Sequence, residues 1–599
     1  MSLKELFRLI KSDIHRRMKT DGIDRTVFGL LKTVLMPSSI AVIIFRLEHY
    51  FYKKRIHVLT KIFALLNLIL FSTEIQAACE IDEGFIIGHA NGILIHENSR
   101  IGKNCTLMHQ AIIGLRERPG VPVEKLRITV GDGVLIGAGA RILGPLAVGD
   151  FCEIGMNAVV TLSLPSYSVA VGIPAKVIKK LEKRNEKRSE SGFPRKPCVE
   201  SATPDNDREE LTLKKTIDLF RQDLRNRAYI DGKPFKWNSY FKFWFNPTVL
   251  AVLVYRMQHL AHVRKIDFIS KVLNILNVVL FKVEIGSKAR IGGGLVLGHS
   301  HGIIINNDVI IGKNCVFFHD NTVAIGPRED LDPQNDKVVI GDEVMVGAGA
   351  RILGNISVGD HSIIGMNAVV TRSVPPCSVV AGVPGRVIRQ IRAGSGPETG
   401  CREEDSGVST AFSETGEEEE KLTFRKTLKL AKSDIKYRYE LEHKKFNAFS
   451  YIKVLFNPPA LATVIFRFQH WFWSVDLYPV AKLLALLNIM LFSVEIGSGA
   501  QIDEGLVLAH SIAIVIHERV QIGKRCIFTA HNTVSIGPLA FGDVSGNRII
   551  LGNDVFLGVG ARIVGNLTIG DRSQIGMNAV VTKSFPANSR LIGVPARPV

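Results

Sequence analysis

Residues 130–160 read VGDGVLIGAGARILGPLAVGDFCEIGMNAVV, with an aliphatic side chain every six residues at Val130, Ile136, Ile142, Val148 and Ile154. An amphipathic helix repeats every 3.6 residues and a strand every two, so a period of six belongs to neither. One inward aliphatic residue per six builds a three-sided coil of short parallel strands, each aliphatic stacking on its counterpart in the next coil. The glycines that follow most of these positions allow the tight corners between faces.

The pattern returns twice, at Ile340, Val346, Ile352, Val358 and Ile364, and at Leu551, Leu557, Ile563, Ile569 and Ile575. IGAGARILG (136–144) recurs as VGAGARILG (346–354) and LGVGARIVG (557–565), and IGMNAVVT recurs at 154, 364 and 575. His89, His299 and His510 keep the same spacing. A chain of 599 residues is too long for one core. It therefore reads as three tandem α+β units, 1–180, 211–390 and 421–599. Each has a helical block (1–71, 211–281, 421–492) followed by a left-handed parallel β-helix (72–180, 282–390, 493–599). Residues 181–210 and 391–420 are polar and rich in Gly, Ser and Pro, as linkers are. A linker of that length spans about 30 Å on average, enough for each unit to return alongside the last as an intramolecular pseudo-trimer. The period of six lapses in RERPGVPVEKLR (116–127), PREDLDPQNDK (327–337) and PLAFGDVSGNR (538–548), which read as projecting loops.

The helical blocks place apolar residues three and four apart, and charges or prolines interrupt each run before a membrane span accumulates. Packing about a threefold axis is one reading; peripheral docking of an apolar, basic layer on a bilayer is the other. The net charge of +18 suits acidic partners such as phosphate-bearing cofactors or anionic lipid, or simply a solvated basic surface. Cys105, Cys315 and Cys526 share one position inside strand-like runs and read as core residues of a reducing compartment. The N-terminal stretch lacks the apolar core of a secretory signal, so the expected location is cytoplasmic, either free or peripheral to the inner face of the membrane. Phosphate-binding loops, dinucleotide fingerprints and CxxC pairs are absent from the sequence, and nothing points to a nucleic-acid partner. His89, His109, His299, His301, His319, His510 and His531 are candidate zinc ligands by residue type, but no three-histidine set repeats across the copies, so no metal is expected. His49, His259 and His470, each three residues after an arginine, read as helix-packing groups.

The order of helical block, GHANG (88–92), IGAGARILG, IGMNAVV and GIPAKVI (172–178) resembles the hexapeptide-repeat acyltransferases, within them the serine O-acetyltransferases and their colanic-acid-type polysaccharide-modifying relatives. The resemblance implies direct acetyl transfer from acetyl-CoA to a hydroxyl, with His89, His299 and His510 as general bases. It implies a carboxylate on the preceding coil to orient each ring: Glu74, Glu284 and Glu495, where serine acetyltransferases carry Asp. The bland alternative is a histidine satisfied at a corner beside a solvated Glu. For the cofactor, the small residues Gly137, Ala138, Gly139 and Ala140, and Gly347, Ala348, Gly349 and Ala350, match a pantetheine wall, although such residues also simply close corners. Lys176, Arg386 and Arg597 match groups that meet CoA phosphates. In the third copy Val559 interrupts the small-residue run and AHSIA (509–513) replaces GHANG, so its site departs furthest from the family pattern.

The family's serine-binding Asp before the histidine is replaced by Gly88, Gly298 and Ala509, and its helical Asp-Pro by Met36-Pro37, Asn246-Pro247 and Asn457-Pro458. Arg127, Lys337 and Arg548 stand where the family meets the serine carboxylate. Losing two anions that would hold an ammonium favours a sugar, glycan precursor or other small hydroxyl acceptor over serine. Serine O-acetylation in cysteine biosynthesis, and a non-catalytic scaffold or membrane-docking protein, are the alternatives. The expected clefts lie between units 1 and 2, 2 and 3, and 3 and 1.

Overall fold

The computed structural model describes all residues except 116–120, 123–124, 182–210, 233–245, 326–335, 392–421, 455–456 and 537–547. The expected linkers, and most of the three expected loops, lie outside the described residues. Unit 1 opens with α1 (Leu3–Thr20), α2 (Val27–Val34), α3 (Pro37–Lys53) and α4 (His57–Phe71). Unit 2 has α5 (Leu213–Ile230), α6 (Pro247–Val263) and α7 (Asp267–Phe281). Unit 3 has α8 (Phe424–Leu441), α9 (Ala448–Val454), α10 (Pro458–Ser474) and α11 (Tyr478–Phe492).

Local chemistry sets the helix ends. Ser2 and Glu5 form a capping box on α1, and the Thr212 and Thr423 side chains cap α5 and α8. Proline opens α3, α6 and α10, where its missing N–H costs nothing. Asn246 and Asn457 accept N–H groups of the first turns of α6 and α10, so the positions matched to the family's Asp-Pro serve as helix starts.

After the helices each unit forms three sheets of five, four and six strands, parallel except for the last strand, which turns back antiparallel. This is the left-handed β-helix of hexapeptide repeats. In unit 1, Leu94, Ile112, Arg141 and Val159 stack in register along one face. All fifteen period-six aliphatics are at most 3% exposed, and the three units have separate cores. Full burial of one such side chain is worth roughly 1.5–3 kcal/mol, so stacked aliphatics are the main cohesive force of each prism. In each unit a buried ion pair ties the first helix to the helix that opens with proline (α1 to α3, α5 to α6, α8 to α10): Arg46 Nε to Asp13 at 2.9 Å, Arg256 Nη2 to Asp223 at 2.9 Å, Arg467 Nε to Asp434 at 2.7 Å. His49, His259 and His470 bond through Nδ1 to the carbonyls of Ala77, Ser287 and Ser498, fixing those helices on the first coil.

The units close on themselves about a pseudo-threefold axis. Asn157 Nδ2 donates to the Gly349 and Asn367 carbonyls, Asn367 to those of Gly560 and Asn578, and Asn578 to those of Gly139 and Asn157. A ring of bonds running 1→2→3→1 is a closed trimer made by one chain. Beside it lie three buried arginines, Arg141, Arg351 and Arg562. Around them the equivalent positions hold three different residues, Gln110, Asp320 and His531. Arg351 reaches Gln110, Arg562 Nη2 donates to Asp320 at 2.8 Å, and His531 Nδ1 meets Asp320 at 3.1 Å. A homotrimer must repeat one residue there; a fused one need not.

Candidate active site

His89 follows the strand Ile86–Ile87 in the six-stranded sheet, whereas Glu74 begins the strand Glu74–Ile75 in the five-stranded sheet. The two therefore stand on different faces of one prism and meet different neighbours. His89 Nδ1 bonds Glu284 Oε2 of unit 2 at 2.9 Å, His299 bonds Glu495 of unit 3 at 2.9 Å, and His510 bonds Glu74 of unit 1 at 3.0 Å. The carboxylate from the preceding coil of the same unit is thus replaced by one from the next unit. Each pair is half-buried at a cleft, and among the described residues nothing bonds Nε2 of these three rings.

Electrostatics polarise the pairs. Burial works against the charged form of His89, but the Glu284 carboxylate outweighs it and holds the imidazole above its ordinary value. Burial likewise opposes ionised Glu74, Glu284 and Glu495, and the facing histidine overcomes it; Glu495 falls to about 2. The carboxylates are therefore ionised acceptors for an Nδ1–H, which leaves Nε2 as the basic nitrogen.

Three further groups complete the site. Arg17 Nη1 donates to the Ile87 carbonyl at 2.8 Å, Arg227 to Leu297 at 2.8 Å and Arg438 to Leu508 at 2.7 Å, which clamps the chain just before each histidine. Behind His89, the ring of buried His109 stands edge-on at 5.4 Å, and His319 stands behind His299 at 5.3 Å. His109 Nε2 meets Thr322 Oγ1 of unit 2 at 2.6 Å, and His319 meets Thr533 of unit 3 at 2.7 Å. Burial, then the neighbouring Arg351 or Arg562, pushes both inner histidines well below their ordinary value, so both are neutral. The arginines were not singled out from the sequence, although their spacing of 210 and then 211 residues marks them as part of the repeated site.

The small-residue stretches behave differently from the expected open wall. Gly137, Ala138, Gly139 and Ala140, and Gly347, Ala348, Gly349 and Ala350, are all buried. A Cβ on Gly137 would stand 2.7 Å from the Ile154 carbonyl of the next coil. Gly139 and Gly349, at φ +69° and +74°, let Arg351 and Arg562 of the following unit close over them. Coil stacking and unit packing account for these residues. Lys176 and Arg386 lie on the final strands Lys176–Lys180 and Arg386–Gln390, exposed at every residue, and Arg597 is exposed on the equivalent strand. Arg127 and Arg548 are exposed and Lys337 is half-buried, each immediately before the strand that resumes the coil. Among the described residues no group of three or more potential ligands is arranged to hold a metal ion.

A closed ring of hexapeptide-repeat prisms with a histidine–carboxylate pair at each seam defines a transferase class. Residues 337–372 match the bacterial transferase hexapeptide (six repeats) family, and residues 127–161 and 548–583 match the hexapeptide repeat of succinyl-transferase. A Helicobacter pylori serine acetyltransferase is 34% identical over 167 residues, 28% of this chain and 95% of that protein. A Mycobacterium tuberculosis serine acetyltransferase is 36% identical over 133 residues, 22% of this chain and 57% of that one. The crystal structure of Neisseria gonorrhoeae serine acetyltransferase aligns at 27% identity and a TM-score of 0.28, covering 30% of this chain and 69% of that one. The chain belongs to the hexapeptide-repeat acyltransferases of the serine acetyltransferase type, O-acetyltransferases whose acyl donor is acetyl-CoA.

Proposed function

We propose that this chain acetylates a hydroxyl group of a sugar, glycan precursor or other small metabolite, with His89 and His299 as general bases in the clefts between units 1 and 2 and between units 2 and 3. The observation that carries the reading is the Nδ1–carboxylate bond across each seam, which leaves Nε2 unbonded and basic. In this mechanism Nε2 takes the proton of the acceptor hydroxyl as its oxygen attacks, and Glu284 or Glu495 stabilises the imidazolium that forms. The bound donor supplies an acetyl thioester as the electrophile. The imidazolium then returns the proton to the departing sulfur, so the histidine ends neutral. Arg17 and Arg227 hold the backbone that carries each base. The exposed cations Lys176 and Arg386 suit the phosphates of CoA; the buried small-residue stretches offer it no open floor.

Gly88 and Gly298 offer no anion for an ammonium group, which favours hydroxyl acceptors without one. Serine is the second reading, favoured by relatives of 34–36% identity named as serine acetyltransferases. Thiol release from acetyl-CoA, measured against a panel of hydroxyl acceptors that includes serine, tests both. Turnover with a glycan precursor and none with serine supports the proposal; the reverse overturns its acceptor, and no turnover with any acceptor counts against it.

A further inference from the structure

The helices α4, α7 and α11 converge at their C-terminal ends. Ser72 and Ser493, which cap α4 and α11, touch through their hydroxyls at 2.7 Å. Lys282, which caps α7, sends Nζ to the carbonyls of Ile69 at 2.6 Å and Leu70 at 3.1 Å in α4. One side of each helix is buried: Asn67, Asn277 and Asn488 donate to the carbonyls of Ala41, Ala251 and Ala462 in α3, α6 and α10.

The opposite side of each helix is apolar and bare. Val58 is 71% exposed and Ile62 52% on α4, Phe268 78% and Val272 47% on α7, Leu483 64% and Leu487 41% on α11. Spacings of four residues on one face, repeated in three related helices, make a shared feature and not scattered surface hydrophobes. Exposed cations accompany it: Lys54, Arg55 and Lys61 in unit 1, Arg264, Lys265 and Lys271 in unit 2, and Lys482 in unit 3, outnumbering Asp267 and Asp476. The turns that carry Lys54-Arg55 and Arg264-Lys265 precede the helices, about 20 Å along them from the junction at their C-terminal ends. Among the described residues no single helix is long and apolar enough to cross a membrane; α2 and α3 reach that length only jointly, and they meet at 75°.

We infer that this three-helix face docks on the surface of a bilayer containing anionic lipid, the apolar stripes entering the headgroup boundary and the cations meeting phosphates. A second copy of the chain is the poorer occupant. It would bring two sets of cations together across a contact shorter than the screening length of about 8 Å. Three related stripes on one rigid body bind together, so modest affinity at each adds to a useful whole. The inference is independent of which acceptor the clefts take.

Vesicle co-sedimentation of the full chain tests it, comparing pure phosphatidylcholine with phosphatidylcholine containing about one third phosphatidylserine. Binding at least about tenfold stronger to the anionic vesicles, falling as salt is raised, is the expected result. The combined change Val58→Glu, Phe268→Glu and Leu483→Glu alters only exposed side chains, so it should keep the melting temperature while abolishing binding. Reversing Lys54, Arg55, Arg264 and Lys265 to Glu should weaken binding without touching the stripes. No binding to anionic vesicles, equal binding to both lipids, unchanged binding of the Val58, Phe268 and Leu483 variant, or a dimer in solution that these same changes dissociate would overturn the inference.

Discussion

The clefts between units 1 and 2 and between units 2 and 3 carry an inner histidine and threonine behind the outer pair, whereas the cleft between units 3 and 1 keeps its outer pair and has apolar residues at both inner positions. In the first two, the line runs from His89 or His299 to a neutral buried histidine, a threonine of the next unit and an axial arginine; Arg351 Nη1 donates to Thr322 at 2.6 Å. In the third, Ala530 replaces the inner histidine and Ile112 the threonine. With Leu94, Ile512 and Val559 they form a separate apolar cluster. Its carboxylate, Glu74, also lies near a second buried carboxyl, Glu48, where units 2 and 3 have Gln258 and Gln469 bonded to the Ile285 and Ile496 carbonyls. A histidine–glutamate bond of ordinary length, and the arginine clamp before the histidine, thus survive where the inner histidine and threonine are gone. Three copies of a single subunit cannot make this distinction, because each cleft of a homotrimer is built from the same two faces; fusion lets one seam change alone.

If that contrast governs catalysis, replacing His89 and His299 together by Ala lowers kcat/KM by roughly 10²- to 10⁴-fold, the usual contribution of a general base. Replacing His510 alone leaves the rate within about twofold. Equal losses from all three would erase the contrast. The next effect is on the pH profile. Removing the Glu284 carboxylate by Glu284→Gln leaves burial as the main influence on His89, so its imidazole falls and the acid limb moves to lower pH. Read in a His299→Ala background, kcat drops while that limb shifts down; an upward shift would contradict the pairing.

Stability gives two smaller tests. Burial first, then Glu74, pushes Glu48 up to about 9. Below an ordinary carboxyl value both folded and unfolded states hold this proton, and its effect vanishes. Between there and about pH 9 the unfolded chain ionises and the folded one does not, so stability falls as pH rises, by up to ~3 kcal/mol at pH 7. Glu48→Gln should therefore raise the melting temperature at pH 7–8 and leave it nearly unchanged at pH 4. A larger gain at pH 4 would contradict the sign. Ala513 sits at φ +49°, where units 1 and 2 have Gly92 and Gly302. Ala513→Gly should stabilise by about 1 kcal/mol, read from denaturant midpoints, and the reverse change Gly92→Ala should destabilise.

Much of the fold was legible because a period of six has one structural solution, and because three copies in register leave little room for accident. The histidines and glutamates were legible as repeated polar residues in aliphatic surroundings. Their pairing was not, since sequence order cannot say which prism face meets which neighbour; His89 and Glu284 are 195 residues apart. The packing role of the small-residue runs was hidden for a related reason. Gly139 has a positive φ and is crowded first by Asn157 of its own unit and then by Arg351 of another, the last a demand written elsewhere in the chain. The apolar third seam was half visible in Val559 and Ile512, but Ile112 and Ala530 meet only after the ring closes.

The central claim is that each site is shared between consecutive units, and two double variants test it directly. His89→Ala with Glu284→Gln damages one seam if the pairing runs between units, but two sites if it runs within them. His89→Ala with Glu495→Gln damages both polar seams. Measured as steady-state kcat per chain, the account predicts about half the wild-type rate for the first variant and a loss of at least about tenfold for the second. Near-complete loss in the first, with half the rate retained in the second, would contradict it.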